Sequence, residues 1–332
     1  MRDEEGVPMT TAEFVSGHEM RIELSGEALE FGNQVRRALQ AAGGDELVQA
    51  AEREPERRES LVAPVLGALG AWELRPRHDG EELEAAAALC RSAGYWAAPY
   101  PVAERLARPV DPDVDGLLVV SGDEPAAAVA GLDLRWAAVA FDGSRGAVTV
   151  RPPVGSARSS AFVTRVDVRP LDDDGAADLA LALVLPCWTL LGMLDRAIEL
   201  ARDHVLVREQ FGRPLSEFQS VQFQLTDAEV ERRGADMLAR YALWSIQSGR
   251  DDALIDALSL RSATLAAAET VFRIAHQLHG ATGFCDESPL SWLSRYSLPL
   301  RRLPLGAAGT DELLAGLAGR DGLAGLFDPD GA

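Results

Sequence analysis

A mostly helical α+β chain, with helices on both sides of one small sheet, is the fold class that three observations predict. Alanine- and leucine-rich stretches with apolar residues three and four apart fill 25–108 and 176–319. Between them, from Asp115 to Val168, short β-type runs are punctuated by Gly, Asp and Pro. The resulting order is helices, sheet, helices rather than alternating βαβ units, which disfavours a Rossmann fold. The expected organisation is an N-terminal helical domain over 1–112, a reduced middle β domain over 113–172 and a C-terminal four-helix bundle over 173–332.

The N-terminal helices rest on EALEFGNQVRRALQAA (27–42), SLVAPVLGALGAW (60–72) and EELEAAAALCRSAG (81–94), the last ended by Gly94 as a C-cap. In AAPYPVAERLA, Pro99 and Pro101 break the pattern before another short helix. The strand runs are Gly116–Val120, Ala126–Gly131, Trp136–Phe141, Ala147–Val150 and Ala161–Val168, as in a small antiparallel sheet or barrel. Leu171–Gly175 (LDDDG) reads as a linker. Helical spacing returns over Asp178–Val207, Phe218–Ser248, Ala253–Leu278 and Thr310–Leu317, with Gly249 and Gly280 where helices would stop. The last dozen residues are expected to fray. The uncharged stretch Leu179–Leu194 is shorter than the ~20 residues of a membrane span, contains Pro186 and is flanked by Asp178 and Asp195. A buried bundle helix is the expectation there.

Composition narrows the function classes. A chain of 332 residues, 47% hydrophobic and 25% charged, can bury a sizeable core. A net charge of −20 argues against nucleic acid or an anionic membrane as a partner. All 32 basic residues are arginine, so lysine chemistry is excluded and an anionic ligand would depend on local arginines. Cys90, Cys187 and Cys285 form no CxxC pair and read as small buried residues. His276 and His279 are three apart, but no third ligand accompanies them, so no metal is expected. MRDEEGVPMTTAEF at the N-terminus has no secretory pattern, and a cytoplasmic location is expected.

Two segments carry the functional signal: REQFGRPLSEFQ, from Arg208 to Gln219, and QLHGATGF, from Gln277 to Phe284. Each sets planar hydrogen-bonding side chains beside glycine, which lets an extended ligand approach the main chain. Arginine suits phosphate because its fixed fork donates two hydrogen bonds and stays charged. With the Gly309-Thr310 pair before a last amphipathic helix, these segments resemble the C-terminal domain of the acyl-CoA dehydrogenases, FAD enzymes that desaturate acyl thioesters. The helix–sheet–helix order is similar to that family's architecture. The resemblance is strong from Leu190 to about Gly319 and poor in the β region.

The resemblance implies that Arg208, Phe211 and Gln219 contact an FAD held mostly by a neighbouring subunit. Gln277 and Gly280 would form the second contact, and Thr310 would also lie on the cofactor; the usual second glycine is replaced by Ala281. The family's catalytic glutamate commonly precedes the Gly-Thr pair, where this chain has Ala308. A minority of the family carries it on the first bundle helix, near Ala182, and Leu179–Leu194 holds no acid. No catalytic residue is therefore assigned. The flavin-holding Glu-Pro-Gly-Ala-Gly-Ser-Asp-like loop has no counterpart between Asp115 and Pro170, the closest pair being Gly155-Ser156.

These matches and losses imply a non-catalytic subunit of a heteromeric (α2β2) acyl-CoA dehydrogenase. Its partner would be a longer subunit carrying the glutamate, and its substrate an acyl-CoA, steroid side-chain CoA esters included. Two alternatives stand beside it: a homo-oligomeric dehydrogenase with Asp311 or Glu312 as displaced base, and a flavin-free scaffold or binding protein.

Overall fold

The computed structural model describes residues 23–110, 113–152 and 161–321. The N-terminal leader, the Gly155-Ser156 pair and the final residues therefore lie outside the described residues. The chain has a mostly α, α+β fold, with an N-terminal helical region, a small sheet and a C-terminal helix bundle.

Helices α1 (Gly26–Ala41), α2 (Glu46–Arg53), α3 (Arg58–Gly67), α4 (Gly80–Tyr95) and α5 (Val102–Leu106) form the N-terminal layer. Ser25 caps α1 by accepting the Ala28 N–H, and Asp79 caps α4 by accepting those of Glu81 and Glu82. Gly94 does not end α4, which runs to Tyr95. Its role is close packing: a Cβ on Gly94 would lie 1.8 Å from the Thr189 carbonyl oxygen, and one on Gly192 would lie 1.8 Å from that of Arg91. The two glycines let α4 cross the long central helix α6 (Ala176–Val207) backbone to backbone.

The sheet comprises β1 (Gly116–Val120), β2 (Ala126–Ala127), β3 (Trp136–Ala140), β4 (Ser144–Val150) and β5 (Thr164–Asp174), in the order β1-β3-β4-β5-β2. It is mixed rather than antiparallel, because β1 pairs parallel with β3 while the other pairs are antiparallel. The run at Ala126–Gly131 contracts to two residues. Leu171–Gly175 is not a linker, since β5 continues to Asp174. Buried Arg145 accounts for one carboxylate of the run: it pairs with Asp173 at 2.5 Å and also with buried Asp178, while Asp172 and Asp174 stay exposed.

After α6 come a two-stranded hairpin, β6 (Glu209–Gln210) and β7 (Arg213–Pro214), then α7 (Gln219–Gln247), α8 (Ala253–His279), α9 (Pro289–Arg302) and α10 (Ala307–Asp321). Helix α9 goes beyond the sequence reading, where Pro289 and Pro299 masked it. Pro289 stands at its first turn, where no N–H is needed, while Leu290, Trp292, Leu293 and Tyr296 bury one face. Gly249 and Gly280 do follow α7 and α8, with φ of 62° and 60°. Among the described residues, α6 is the one helix long and apolar enough to cross a membrane, but 83% of its apolar window is buried in the protein. Cys90 and Cys187 are buried, whereas Cys285 is exposed, against expectation. No group of three potential metal ligands occurs among the described residues.

Candidate cofactor site

The last turns of α6 and α8 lie side by side. The His204 and His279 rings stack at 4.4 Å between centroids, fastening the two helix ends together. Burial holds His204 below the ordinary histidine range, with His279 and Arg208 adding to the effect. Burial lowers His279 as well, and its Nδ1 lies 2.8 Å from the Ala275 carbonyl. Two uncharged imidazoles can stack where two imidazolium ions would repel.

This junction gathers five of the six expected cofactor residues. Arg208 is the C-cap of α6; its N–H donates to the His204 carbonyl, and its own carbonyl accepts the Leu215 N–H at 2.8 Å. Its side chain is exposed, and among the described residues the guanidinium has no hydrogen bond or ion pair. Phe211 and Gly212 form the two-residue turn of the β6–β7 hairpin, with φ of 53° and 78°. That turn needs positive φ at both central residues, a conformation unfavourable for phenylalanine. Phe211 is nevertheless 92% exposed at the tip.

Gln219 opens α7 behind Phe218, and no side chain caps that helix. The Val221 N–H donates to the Phe218 carbonyl at 2.9 Å, which leaves the Gln219 and Ser220 amides for water or a ligand, at the positive end of the helix dipole. Arg213 stacks over Phe218, its guanidinium carbon 4.1 Å from the ring centre. Gln277 is exposed in the last turn of α8. Gly280 takes φ 60° and ψ −143°, a backbone region that side chains disfavour. Phe284 is 68% exposed and stacks on His276. The negative ends of α6 and α8 converge here, so an anion would rely on Arg208 and the α7 N-terminus to offset them.

Thr310 is not part of this cluster. It is fully buried in the first turn of α10, where its hydroxyl donates to the Gly306 carbonyl at 3.0 Å. Its neighbour Asp311 accepts a 2.5 Å bond from Ser262 of α8. Ser262 precedes Gln277 by fifteen residues, about 22 Å along the helix. Ala308 is exposed beside it, and Glu312 is exposed without a partner among the described residues. Sequence reasoning did not find the His204–His279 clasp, although His204 and Arg208, four apart, share a helix face.

Residues 180–323 match the family model described as Acyl-CoA dehydrogenase, C-terminal domain. The helix bundle of this chain is an acyl-CoA dehydrogenase C-terminal domain. Acyl-CoA dehydrogenase FadE28 of Mycobacterium tuberculosis is 31% identical over 171 residues, covering 50% of this chain and 50% of that one. The mitochondrial isobutyryl-CoA dehydrogenase of Bos taurus is 36% identical over 100 residues, 29% of this chain and 23% of that one. The chain thus spans about half or less of the length of these curated relatives. Among solved structures, the Tcur3481-Tcur3483 steroid ACAD superposes with a TM-score of 0.73 at 19% identity, covering 90% of this chain and 99% of that one. The ChsE4-ChsE5 complex from Mycobacterium tuberculosis gives 0.71 at 18%, covering 91% and 99%. At those identities the likeness is one of fold. The superfamily is FAD-dependent, and FAD complexes occur among the structural neighbours.

Proposed function

We propose that this chain is the non-catalytic subunit of a heteromeric, cytoplasmic acyl-CoA dehydrogenase, donating contacts to an FAD held mainly by a longer partner. The observation that carries this reading is the exposed set of Arg208, Phe211, Gln219, Gln277 and Gly280 at one end of the bundle, in a chain with Ala308 at the usual base position. These residues fit the adenine and pyrophosphate half of the cofactor. Arg208 and the uncapped α7 amides are donors for phosphate, Phe211 is an apolar wall, and Gly280 permits close approach. Thr310 belongs to a separate contact at the start of α10, where the Gly306–Thr310 turn would meet the FAD of the other half-site. FAD, when bound, accepts the hydride that leaves the substrate β carbon.

The substrate class is an acyl-CoA. A steroid side-chain ester is the member favoured by the steroid dehydrogenase among the structural neighbours. The partner is proposed by likeness to the ChsE4-ChsE5 complex. A displaced base is disfavoured because Asp311 accepts a hydrogen bond from Ser262 and both Asp311 and Glu312 are exposed, so neither carboxylate is held in a desolvated site for proton abstraction. The test is production with and without an adjacent-gene homologue that carries the glutamate, reading flavin content and native mass. Alone, the chain should carry little FAD and show no dehydrogenation. With the partner, one FAD per pair of unlike chains is expected. A stoichiometric flavin spectrum from the isolated chain would overturn the proposal.

A further inference from the structure

Three of the chain's five histidines, His204, His276 and His279, gather at the bundle end that carries Arg208 and Gln277. Val205 and Leu278 are buried there, while their neighbours Leu206, Val207 and Gln277 face solvent. The partly buried His204 and His279 rings lie with 20° between their planes. Each ring is tied through the main chain to a candidate ligand residue. The His204 carbonyl accepts the Arg208 N–H at 2.9 Å, and His279 is followed directly by Gly280, whose N–H donates to the His276 carbonyl. The stack therefore sets how far the Arg208 side of the site stands from the Gln277–Gly280 side.

The pair is at ease in one charge state. The Ala275 carbonyl beside His279 Nδ1 can only accept, so Nδ1 carries the proton and Nε2 is the nitrogen that gains one in acid. Burial lowers both rings below the ordinary histidine value of 6.5, and His279 and Arg208 further oppose charge on His204. His276 is lowered by burial and by His279. On the helices themselves, Asp203 pairs with Arg202 and Arg273 is exposed. The hairpin side brings Glu209, Arg213 and Glu217, and α7 carries no charge before Asp227. After α8 come Cys285, Glu287 and Asp286, the last paired with Arg295. No carboxylate is seen to bond either ring among the described residues, so charging both sets two cations 4.4 Å apart beside Arg208. A base that folds uncharged supports the closed form above its unfolded value, and that support is lost as pH falls below about 6.5.

We infer that the His204–His279 stack is a positioning clasp for the cofactor end: with both rings uncharged it holds Arg208 against the Gln277–Gly280 turn, and acid opens it. The consequence for FAD rests on the cofactor role proposed for this end, whereas the opening belongs to this chain alone. Both histidines are positioning residues, with no chemical step assigned to either.

The test compares native protein with His204→Phe and His204→Ala at about pH 7.5 and about pH 5.5, on either side of the histidine range. Phenylalanine keeps a ring on His279, and a single imidazolium is attracted to a phenyl face rather than repelled. In the isolated full chain, hydrogen exchange at 201–208 and 275–284 is normalised to the unstructured-peptide rate at each pH. It should quicken about tenfold in acid for the native protein and less than about twofold for His204→Phe. His204→Ala, which removes the stack, should exchange faster than native already at neutral pH. In the complex with the partner, FAD release followed by flavin fluorescence should show the same order of acid responses. Equal acid responses of exchange in native and His204→Phe would overturn the clasp, and equal responses of FAD release would overturn its hold on the cofactor. A complex without FAD at neutral pH would overturn the cofactor role instead, and the exchange comparison would still decide the clasp. Should His204→Ala not fold, native and His204→Phe decide the matter alone.

Discussion

Arg91 and Arg208 flank the second half of α6, and their surroundings are opposite. Arg91 donates two bonds to Asp195, at 2.6 and 3.0 Å, and one to Asp236 at 2.6 Å. Arg232 joins the same cluster through Asp195 and holds Glu229 with a two-pronged contact of 2.8 Å. Among the described residues the Arg208 side chain has no hydrogen bond or ion pair. The contrast teaches how to separate a structural arginine from a recruiting one: the first is answered by carboxylates on neighbouring helices, the second is left with its donors free at an exposed end. Phe211 strengthens the lesson, because an aromatic ring at positive φ and 92% exposure costs the isolated chain energy.

The largest effect expected from breaking this contrast is at Arg91. Arg91→Ala removes the cation that joins Asp195 to Asp236, leaving Arg232 on the first and Arg240 on the second, and should destabilise the chain by about 2–3 kcal/mol, less than for a fully buried pair because the site is partly open and each carboxylate keeps a cation. Denaturant unfolding measures it; a loss under 1 kcal/mol would mean that solvent already screens the cluster. Arg208→Ala should leave unfolding unchanged while weakening FAD retention in the assembled complex by about ten- to hundredfold, the ~1.5–3 kcal/mol of a hydrogen bond to a charged group. Gln277→Ala should act in the same direction and more weakly. Unchanged flavin affinity in an intact Arg208→Ala complex would make that arginine an ordinary surface residue.

At the hairpin tip the two states should move in opposite directions. Asparagine tolerates positive φ better than phenylalanine, so Phe211→Asn should stabilise the isolated chain by up to ~1 kcal/mol and weaken association with the partner. A change of the same sign in both measurements would detach the ring from any interface.

Acid distinguishes the regions too. Hydrogen bonding to Arg232 holds the Glu229 carboxyl down at about 2, against an ordinary value near 4.3. With the folded value depressed, its contribution is present above the unfolded pKa and is lost as pH falls from about 4.3 toward 2. His204 and His279 are also depressed, but they are bases that fold uncharged, so stability at their end declines as pH falls below about 6.5. Hydrogen exchange across that range should therefore loosen the α6–α8 junction before the Arg91 cluster. Simultaneous loosening would refute the separation. The smallest effect is expected from Glu312→Gln, which should alter turnover of the complex by less than threefold. A loss beyond about a hundredfold, with FAD still bound, would make Glu312 the base.

Much of the scaffold was legible in the chain. The spans of α6, α7 and α8 follow from unbroken 3.6-residue periodicity, and β1 matches its predicted limits because a short apolar run was bounded by Asp and Gly. The candidates Arg208, Phe211, Gln219, Gln277 and Gly280 were singled out by the family resemblance that their two short motifs carry, and a motif is local in the chain. Three features were not legible, each depending on what lies across space. Gly94 looks like a helix stop until Thr189 is found against it. Asp173 looks like a linker residue until strand β5 and buried Arg145 are found to hold it. Glu104 looks like an ordinary acid on a short helix until it is found in the wall of a mostly apolar cavity with Arg58 near by. Periodicity is written along the chain, so the sequence by itself determined the long bundle helices and the first strand, and marked the candidate ligand residues. Close approach, charge pairing and enclosed volume depend on distances between segments remote in sequence, and only the tertiary structure decided them.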